Sequence, residues 1–499
     1  MLDRAALMRR LLPAPADIVF ILMLFAAAVL RGWQAVNTDG DLGRHLRVGE
    51  TILQRGGLFY EDLFSWTMAG QRFVPYEWLS EVLFALAHRA AGIAGAVALT
   101  ALVIAGSYLL LVLLLRRLGV DPLLAFLVAV AAGLVGAFHW LARPHVFTFL
   151  GTVSLLWLIE GADRGRPALP RVARLGLTAL LFAVWANLHG GFLFGLVLLA
   201  MYLAGDVIAS RELLPRHAAL FLAALLGTML NPVGPALLGH VTGYLGETFL
   251  VDTTLEYRSP DFHGWIGRAF LAMLLLMIGA LALSRQPVRL RWLVVILGTS
   301  AFALHSVRNV PLWALTALPL AAMHLDGEWR ALPSRVLTRL REGFAGADRM
   351  LAPGTWSALA ALMLMVLAGN GGRWGRAQLI QDRFDPTVFP VEAVARARAA
   401  GLDGRMFNEL GWGGYLLYAW PEQKVFIDGQ TDFYGEELSR EYVALRSGKT
   451  GSEQRLEERG IRVVLIPPDA PLRASIERGP WEELYKSDAA LLFRASRSY

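Results

Sequence analysis

Two aspartates separated by one residue, Asp39 and Asp41, follow the first apolar segment of the chain, with Arg44, His45 and Arg47 close behind them. A carboxylate here can act as a general base, or two together can hold a divalent cation, while Arg44 and His45 can neutralise a phosphate. The plainer alternative is that an aspartate caps the helix that the next residues predict, because Asp is a preferred N-cap residue. Both interpretations stay open at this point.

More charged and histidine residues stand at the same ends of later apolar segments. Taken singly, each is better explained as an interfacial side chain in a hydrogen bond. Ionisable groups at membrane depth are costly and usually mark a polar cavity, so we expect these ends to converge on one cavity. The group comprises His139, Arg143, His145, Asn187, His189, Asn231, Glu256, Arg258, Asp261, His263, His305, Arg308 and Asn309.

The composition indicates that membrane helices position these residues. The 499-residue chain is 56% hydrophobic and only 18% charged, which excludes a soluble protein. It contains no cysteine, which excludes disulfides, thiolate metal sites and thiol nucleophiles. Its basic surplus lies before residue 380, in the membrane part, so we expect a lipid bilayer and no nucleic acid as partner.

Eleven apolar segments predict about eleven transmembrane helices, the first of them uncleaved because no small-residue cleavage site follows it. They are residues 16–30, 93–115, 123–141, 146–159, 175–187, 192–207, 218–230, 270–283, 292–304, 310–323 and 356–368. Every second loop is rich in arginine, which predicts a cytoplasmic N-terminus and an extracytoplasmic C-terminal region. These loops carry Arg116 and Arg117; Arg164, Arg166, Arg171 and Arg174; Arg211 and Arg216; Arg285, Arg289 and Arg291; and Arg330, Arg335, Arg339, Arg341 and Arg349.

Two outer loops and a polar tail complete the predicted organisation. The transmembrane domain covers 1–370, with long outer loops at 34–81 and 231–268, and a small α/β domain covers 380–499. Residues 42–53 predict an amphipathic helix on the membrane surface, and the glycine-rich, acidic loop 231–268 predicts a partly mobile lid. In the tail, we expect helices at 391–400 and 436–445 and strands at 405–408, 424–427, 463–466 and 491–494.

Several short stretches carry a resemblance to one family. They are 39–47, Phe64-Ser65-Trp66-Thr67, Glu77-Trp78-Leu79, Arg143-Pro144-His145, 185–190, Asn231-Pro232 and Arg308-Asn309-Val310-Pro311. With the Asp-x-Asp-like element after the first span and the outer C-terminal region, the chain resembles the GT-C superfamily of membrane glycosyltransferases over nearly its whole length, in particular bacterial glycosyltransferase-like membrane proteins. The resemblance implies an α-helical polytopic protein of the bacterial cytoplasmic membrane.

The resemblance also implies an activity. The protein would transfer a hexose or pentose from a polyprenyl-phosphate-linked donor to an extracytoplasmic glycan, lipid or protein acceptor, with inversion. Asp39 or Asp41 would be the base; no cofactor is certain, but Mg²⁺ or Mn²⁺, where used, would bind to these two aspartates. Candidate contacts to the donor phosphate are Arg44, His45, Arg143, His145, His189 and Arg308. Candidate acceptor or lid residues are Glu77, Glu256, Asp261, His263, Glu409, Trp412, Tyr415 and Asp428.

The tail segment 408–415, followed by 425–429, is distantly similar to the acceptor-binding region of oligosaccharyltransferases, although its paired tryptophans are absent. An equally good interpretation is a glycine-rich turn that lets the tail approach the membrane domain closely. A transporter or flippase of lipid-linked sugars would need ionisable groups at mid-span and typically shows repeats. The polar residues stand at segment ends and no repeat is visible, which favours the enzyme; a non-catalytic structural subunit is the third alternative.

Overall fold

The computed structural model describes residues 12–161, 169–209, 211–245, 255–449 and 451–496. Arg164, Arg166 and residues 246–254 of the predicted lid lie outside the described residues. Up to residue 370 the described elements are helices: α1 Pro15–Phe25, continued as a π-helix over Ala26–Leu30, α2 Gly32–Asn37, α3 Asp41–Arg55, α4 Trp78–Arg117, α5 Pro122–Gly136, α6 Val146–Glu160, α7 Arg171–Leu188, α8 Phe192–Ile208, α9 Leu214–Thr228, α10 Ala236–Leu245, α11 Trp265–Ala282, α12 Leu290–His305, α13 Val310–Ala331, α14 Arg335–Met350 and α15 Thr355–Gly369.

All eleven predicted apolar segments coincide with helices, so the apolar pattern correctly predicted the helical class. Four described helices are long and apolar enough to cross a membrane, or five if the bent pair α14 and α15 forms one span. The four are Trp78–Arg117, Pro122–His139, Arg171–Leu188 and Trp265–Ala282, and five further apolar helices have 10–17 residues. The protein is thus a mainly helical membrane protein, whereas the number of spans stays a prediction.

The 40-residue helix α4 has two parts because its backbone leaves the helical region near one glycine. Gly92 adopts a φ of +61°, in the left-handed region that L side chains rarely enter. Helix α4 contacts both α3 and α1, and small side chains such as Ala94 and Ala101 are buried along its apolar part. Small residues let helices approach closely where lipid offers no hydrophobic driving force.

At the C-terminal ends of α4 and α13, ion pairs and a hydrogen bond join two of the arginine-rich loops. Arg116 pairs with Asp348, and Arg341 lies 3.4 Å from Asp121. Arg330 donates a hydrogen bond of 3.0 Å to the carbonyl of Gly119. These contacts bring two of the predicted inner loops to the same end of the bundle, as the alternation of arginines requires.

The tail contains a four-stranded sheet with helices around it. Its strands lie in the order β3-β4-β6-β5, where β3 pairs parallel with β4 and the other pairs are antiparallel. A two-stranded ribbon, β1 with β2, precedes the sheet. The elements are β1 Arg373–Trp374, β2 Ala377–Gln378, α16 Val391–Ala399, β3 Arg405–Asn408, α17 Gly413–Ala419, α18 Thr431–Arg446, α19 Ser452–Glu458, β4 Ile461–Ile466, α20 Arg473–Ile476, β5 Trp481–Lys486 and β6 Leu491–Ala495.

One predicted strand of the tail, residues 424–427, is wrong. Val425 makes only an isolated bridge, to Ser65 of the first long loop. The side chain of Asn408 takes the place of a neighbouring strand, because it accepts the N–H of Phe426 at 2.8 Å and donates to the carbonyl of Ile427 at 2.9 Å. The sequence analysis also missed β5, whose mostly polar residues lie at the edge of the sheet.

Glycines let the tail approach α3 closely. The N–H of Gly40 donates to the carbonyl of Gly411 at 3.1 Å. A Cβ atom on Gly43 would lie 2.5 Å from the carbonyl oxygen of Gly414, closer than real Cβ contacts. The buried face of α3 therefore contacts α4 and α17, so this helix is held by protein in addition to any contact with a membrane surface.

Candidate active site

The first turn of α3 positions the two aspartates. Helix α3 begins at Asp41, and the side chain of Asp39 accepts the backbone N–H of Asp41 at 3.0 Å. The N-cap residue is Gly40 and not an aspartate, but Asp39 satisfies one free N–H group at the start of the helix. Both carboxylates are 22% exposed, so neither is fully occupied by this structural role.

Arg143 joins the two aspartates to a residue of the long loop 231–268. Its guanidinium binds both carboxylate oxygens of Asp39, with a distance of 3.1 Å from Nε to Oδ1. Its Nη1 atom lies 3.4 Å from Oδ2 of Asp41 and 3.3 Å from Oε1 of Glu256. Three segments far apart in the sequence therefore meet in one cluster of three carboxylates and one guanidinium.

The two carboxyl groups of Asp41 and Glu256 have opposite pKa shifts. Burial, together with the nearby charges of Glu256 and Asp428, raises the pKa of Asp41 to about 6, although His45 and Arg44 act in the other direction. Burial alone would raise the pKa of Glu256 as well, but Arg143 and other cations lower it to about 2. Asp41 is therefore ionised near neutral pH but basic enough to accept a proton, as a general base requires.

Arg44 is buried beneath this cluster. It is 4% exposed, and its guanidinium lies 3.4 Å from Glu81 and 3.4 Å from Asp428 and donates to the side chain of Gln430. Burial would lower its pKa, but the carboxylates of Asp428 and Glu81 raise it. Arg44 is thus tied to α4 and to the tail, and a lipid phosphate would have to break these ion pairs to reach it.

Three side chains beside Arg44 could hold a divalent cation. His45, Glu77 and Glu81 each offer one ligand atom, and these atoms lie within 4.8 Å of one another. The aspartates that the resemblance suggested as metal ligands, Asp39 and Asp41, are instead faced by Arg143. The structure therefore groups a different set of residues in a way that suits a metal.

The histidines of the later segments lie close to one another, with one ring pair tilted and the other edge to face. The ring of His145 lies 4.3 Å from that of His139 and 6.4 Å from that of His189, centre to centre. The Nδ1 atom of His189 accepts the N–H of Gly191 at 3.0 Å, so its proton is on Nε2, which faces Glu77 at 3.7 Å. Burial, and next the charge of Arg308, lowers the pKa of His189 to about 3. It is a neutral hydrogen-bond donor at neutral pH.

Arg308 stands at the same end of the bundle. Its guanidinium lies over the ring of Tyr257, 4.6 Å from the ring centre, and its charge acts on both Glu256 and His189. With Arg143 it forms the cationic part of the site.

The predicted acceptor and lid residues divide into two groups. Glu256 belongs to the cluster, Asp428 faces Arg44 at 3.4 Å, and Glu77 faces Nε2 of His189 at 3.7 Å. The other five serve local structure: Asp261 accepts the N–H of His263 at 2.9 Å, Glu409 binds Arg446 at 2.8 Å, Trp412 donates to the carbonyl of Val388 at 2.9 Å, and Tyr415 packs on Phe384 and Phe389.

The sequence analysis missed Glu81 and Gln430. Glu81 follows Glu77 by four residues, a spacing that places both on one face of a helix, but this stretch was predicted as part of the outer loop 34–81. No sequence pattern singles out Gln430.

Gln430 also lines a pocket of about 320 Å³ between the two long loops and the tail. The other lining residues are Arg72, Val74, Val233, Ala236, His240, Asp432 and Phe433.

The architecture is similar to that of solved membrane glycosyltransferases. No family model and no curated protein matches the chain in sequence. The oligosaccharyltransferase AglB of Archaeoglobus fulgidus matches 91% of this chain and 69% of its own, with a TM-score of 0.59 and 12% identity. ArnT of Cupriavidus metallidurans matches 95% of both chains, with a TM-score of 0.54 and 14% identity. The mycobacterial arabinofuranosyltransferase AftD matches 97% of this chain but 41% of its own, with a TM-score of 0.50 and 15% identity. These likenesses, at 12–15% identity, show that the chain shares the fold of these enzymes.

Proposed function

We propose that the protein is a membrane glycosyltransferase that moves a sugar from a polyprenyl-phosphate-linked donor to an acceptor hydroxyl. The observation that carries this proposal is the position of Asp41, a partly accessible carboxylate with a pKa of about 6 beside the guanidinium of Arg143. The fold supports a lipid-linked donor, since structures of similar proteins hold dolichol phosphate, in AglB, and undecaprenyl phosphate, in ArnT.

We assign the base to Asp41 and a positioning role to Asp39. Both oxygens of Asp39 bind Arg143, and one of them also accepts a backbone N–H, so this carboxylate is stabilised in its ionised form. Asp41 has one longer contact to Arg143, of 3.4 Å, and remains free to take a proton. Asp39 would then orient the arginine, and Asp41 would act on the acceptor.

The reaction is a single displacement. The acceptor oxygen attacks the anomeric carbon, the bond from that carbon to the phosphate oxygen breaks, and the hydroxyl proton passes to Asp41. Attack opposite to the departing phosphate inverts the anomeric configuration. Arg143 and Arg308 would stabilise the charge that develops on the phosphate, because preorganised cations act where charge develops.

The remaining predicted phosphate contacts take other roles in this proposal. His189 would donate a hydrogen bond without charge, since burial lowers its pKa. His145 would only support the site, because Nε2 of its neutral ring already donates to the carbonyl of His139 at 2.8 Å. Arg44 and His45, which are 4% and 6% exposed, would support the site from beneath. The cluster and the tail would lie on the extracytoplasmic side of a bacterial inner membrane, as the arginine-rich loops predict. An assay with both hexose and pentose donors, described next, identifies the class of sugar.

The test is sugar transfer by the purified full chain in lipid nanodiscs. Radiolabelled polyprenyl-phosphate-linked hexoses and pentoses serve as donors and an alkyl glycoside as acceptor. We expect Asp41→Asn to lose about 10²–10⁴-fold in turnover, the usual contribution of a general base. The matched control is Asp261→Asn, an exposed carboxylate that caps a loop elsewhere. Equal turnover in wild type and Asp41→Asn, or no turnover with any donor, would contradict the proposal.

A further inference from the structure

A pocket of ligand atoms lies between α3 and the start of α4, one layer beneath the proposed catalytic carboxylate. Glu77 precedes α4 and Glu81 is on its first turn, four residues later, so both side chains face the same way. His45 on α3 faces them, and the three ligand atoms lie within 4.8 Å of one another.

One carboxylate oxygen in this pocket has no partner. Glu81 is 2% exposed, and its Oε2 atom is buried and makes no hydrogen bond within the described residues. Arg44 and His45 both face the other oxygen, Oε1, at 3.4 Å. A buried charged oxygen without a partner costs free energy, and such an atom in a native structure usually indicates an unseen ion or water.

The charges in this region do not balance. Four carboxylates act on Arg44, which supplies one positive charge: Glu77, Glu81, Asp428 and Asp432. Buried charges are stable only when they are paired, so a further cation is needed. Burial, and next Glu81, raises the pKa of Glu77 well above its usual range, so a proton on Glu77 is the alternative. That proton would remove one negative charge, and three carboxylates would still act on Arg44.

The distances also suit a metal ion. Nδ1 of His45 is 3.4 Å from Oε1 of Glu81, which is long for a hydrogen bond. Two ligands of a tetrahedral ion, each about 2.0–2.1 Å from it, are separated by about 3.4 Å. An ion shared by these two atoms would fit this spacing, and bidentate binding by the Glu81 carboxylate would also make Oε2 a ligand.

We propose that His45, Glu77 and Glu81 form a binding site for one divalent transition metal, with Zn²⁺ preferred over Mg²⁺. An imidazole with two carboxylates favours Zn²⁺, whereas Mg²⁺ prefers oxygen ligands. The ion would fix α3 against α4 and so hold Arg44, which reaches the tail through Asp428. The site is separate from Asp39 and Asp41, and its existence does not depend on sugar transfer.

Direct measurement of the metal tests this proposal on the full chain in detergent, first stripped with a chelator. After incubation with Zn²⁺ and gel filtration, elemental analysis should find about one Zn²⁺ per chain, and titration should raise the unfolding temperature because the ion binds the folded state. Mg²⁺ at the same concentration should do neither. Sugar transfer is measured separately on the same samples, so a failed metal test and a failed transfer test are distinguishable.

Two variants locate the ion. Glu81→Gln and His45→Asn should each weaken Zn²⁺ binding at least tenfold and abolish most of the shift in unfolding temperature. Glu50→Gln, at a carboxylate of α3 that pairs with Arg89 outside the pocket, is the matched control and should bind as wild type does. Gel filtration establishes that each variant is folded. Absence of Zn²⁺ in the wild type, or equal binding by both site variants, would overturn the proposal, as would loss of the ion in Asp41→Asn alone.

Discussion

The acidity of Asp41 should set the pH dependence of turnover. With its pKa of about 6, Asp41 is about 90% ionised at pH 7 and about 10% ionised at pH 5. The ionised form is the base, so kcat/KM should fall about tenfold from pH 7 to pH 5 and approach a plateau above pH 7. Glu256, with a pKa of about 2, and His189, with a pKa of about 3, do not titrate in this interval.

The assay is transfer from the lipid-linked donor at subsaturating concentration, between pH 5 and pH 8. The sugar-linked phosphate is a diester, which lacks the second phosphate ionisation near pH 6. Asp41→Asn should show a low rate that does not change over this range. Charged or titratable neighbours that face Asp41 are Arg44, His45, Arg143, Glu256 and Asp428.

One neighbour gives the sharper test, because its effect has a definite sign. The negative charge of Glu256 raises the pKa of Asp41. Glu256→Gln should therefore shift the acidic limb of the pH profile, where kcat/KM falls, to lower pH. An acidic limb that persists unchanged in Asp41→Asn, or that moves to higher pH in Glu256→Gln, would refute the assignment of the base.

Three further predictions concern the structure around the site. Gly43→Ala places a Cβ atom 2.5 Å from a tail carbonyl, so it should destabilise the protein by roughly 1–3 kcal/mol in thermal unfolding, whereas Gly57→Ala, with open space around it, should not. Arg44→Met removes the guanidinium that faces the buried carboxylates of Glu81 and Asp428, so it should cost about 3–5 kcal/mol or prevent folding, measured as yield and unfolding temperature. Reporter fusions at Ser475 and Ala331 should be extracytoplasmic and cytoplasmic respectively; an active cytoplasmic reporter at Ser475 would reverse the topology.

The helices and several residues of the candidate site could be predicted from the sequence. Long apolar segments must become helices in a membrane, because no water is present to bind free backbone groups. The same reasoning predicted that polar residues at the ends of these segments share a cavity, and the structure brings Asp39, Asp41, Arg143 and Glu256 into contact.

The roles within the site depended on the tertiary structure. Asp39 and Asp41 are the same residue type two positions apart, yet Arg143 binds both oxygens of one and makes a single longer contact with the other. No local pattern contains this difference, because Arg143 lies 104 residues from Asp39 in the sequence. The acidity of a carboxyl group depends on burial and on charges brought near it by folding.

In the tail, too, some elements could be predicted from the sequence and others depended on tertiary contacts. Strands β3, β4 and β6 have apolar sequences and were predicted, whereas residues 424–427 look like a strand in sequence but are bound by the side chain of Asn408. The sequence by itself determined where helices and apolar strands form, since backbone hydrogen bonding and side-chain hydrophobicity act locally. Only the tertiary structure decided that Arg44 is buried among carboxylates and that Glu81 has an unpartnered oxygen, because these features depend on contacts between helices and tail that no single segment encodes.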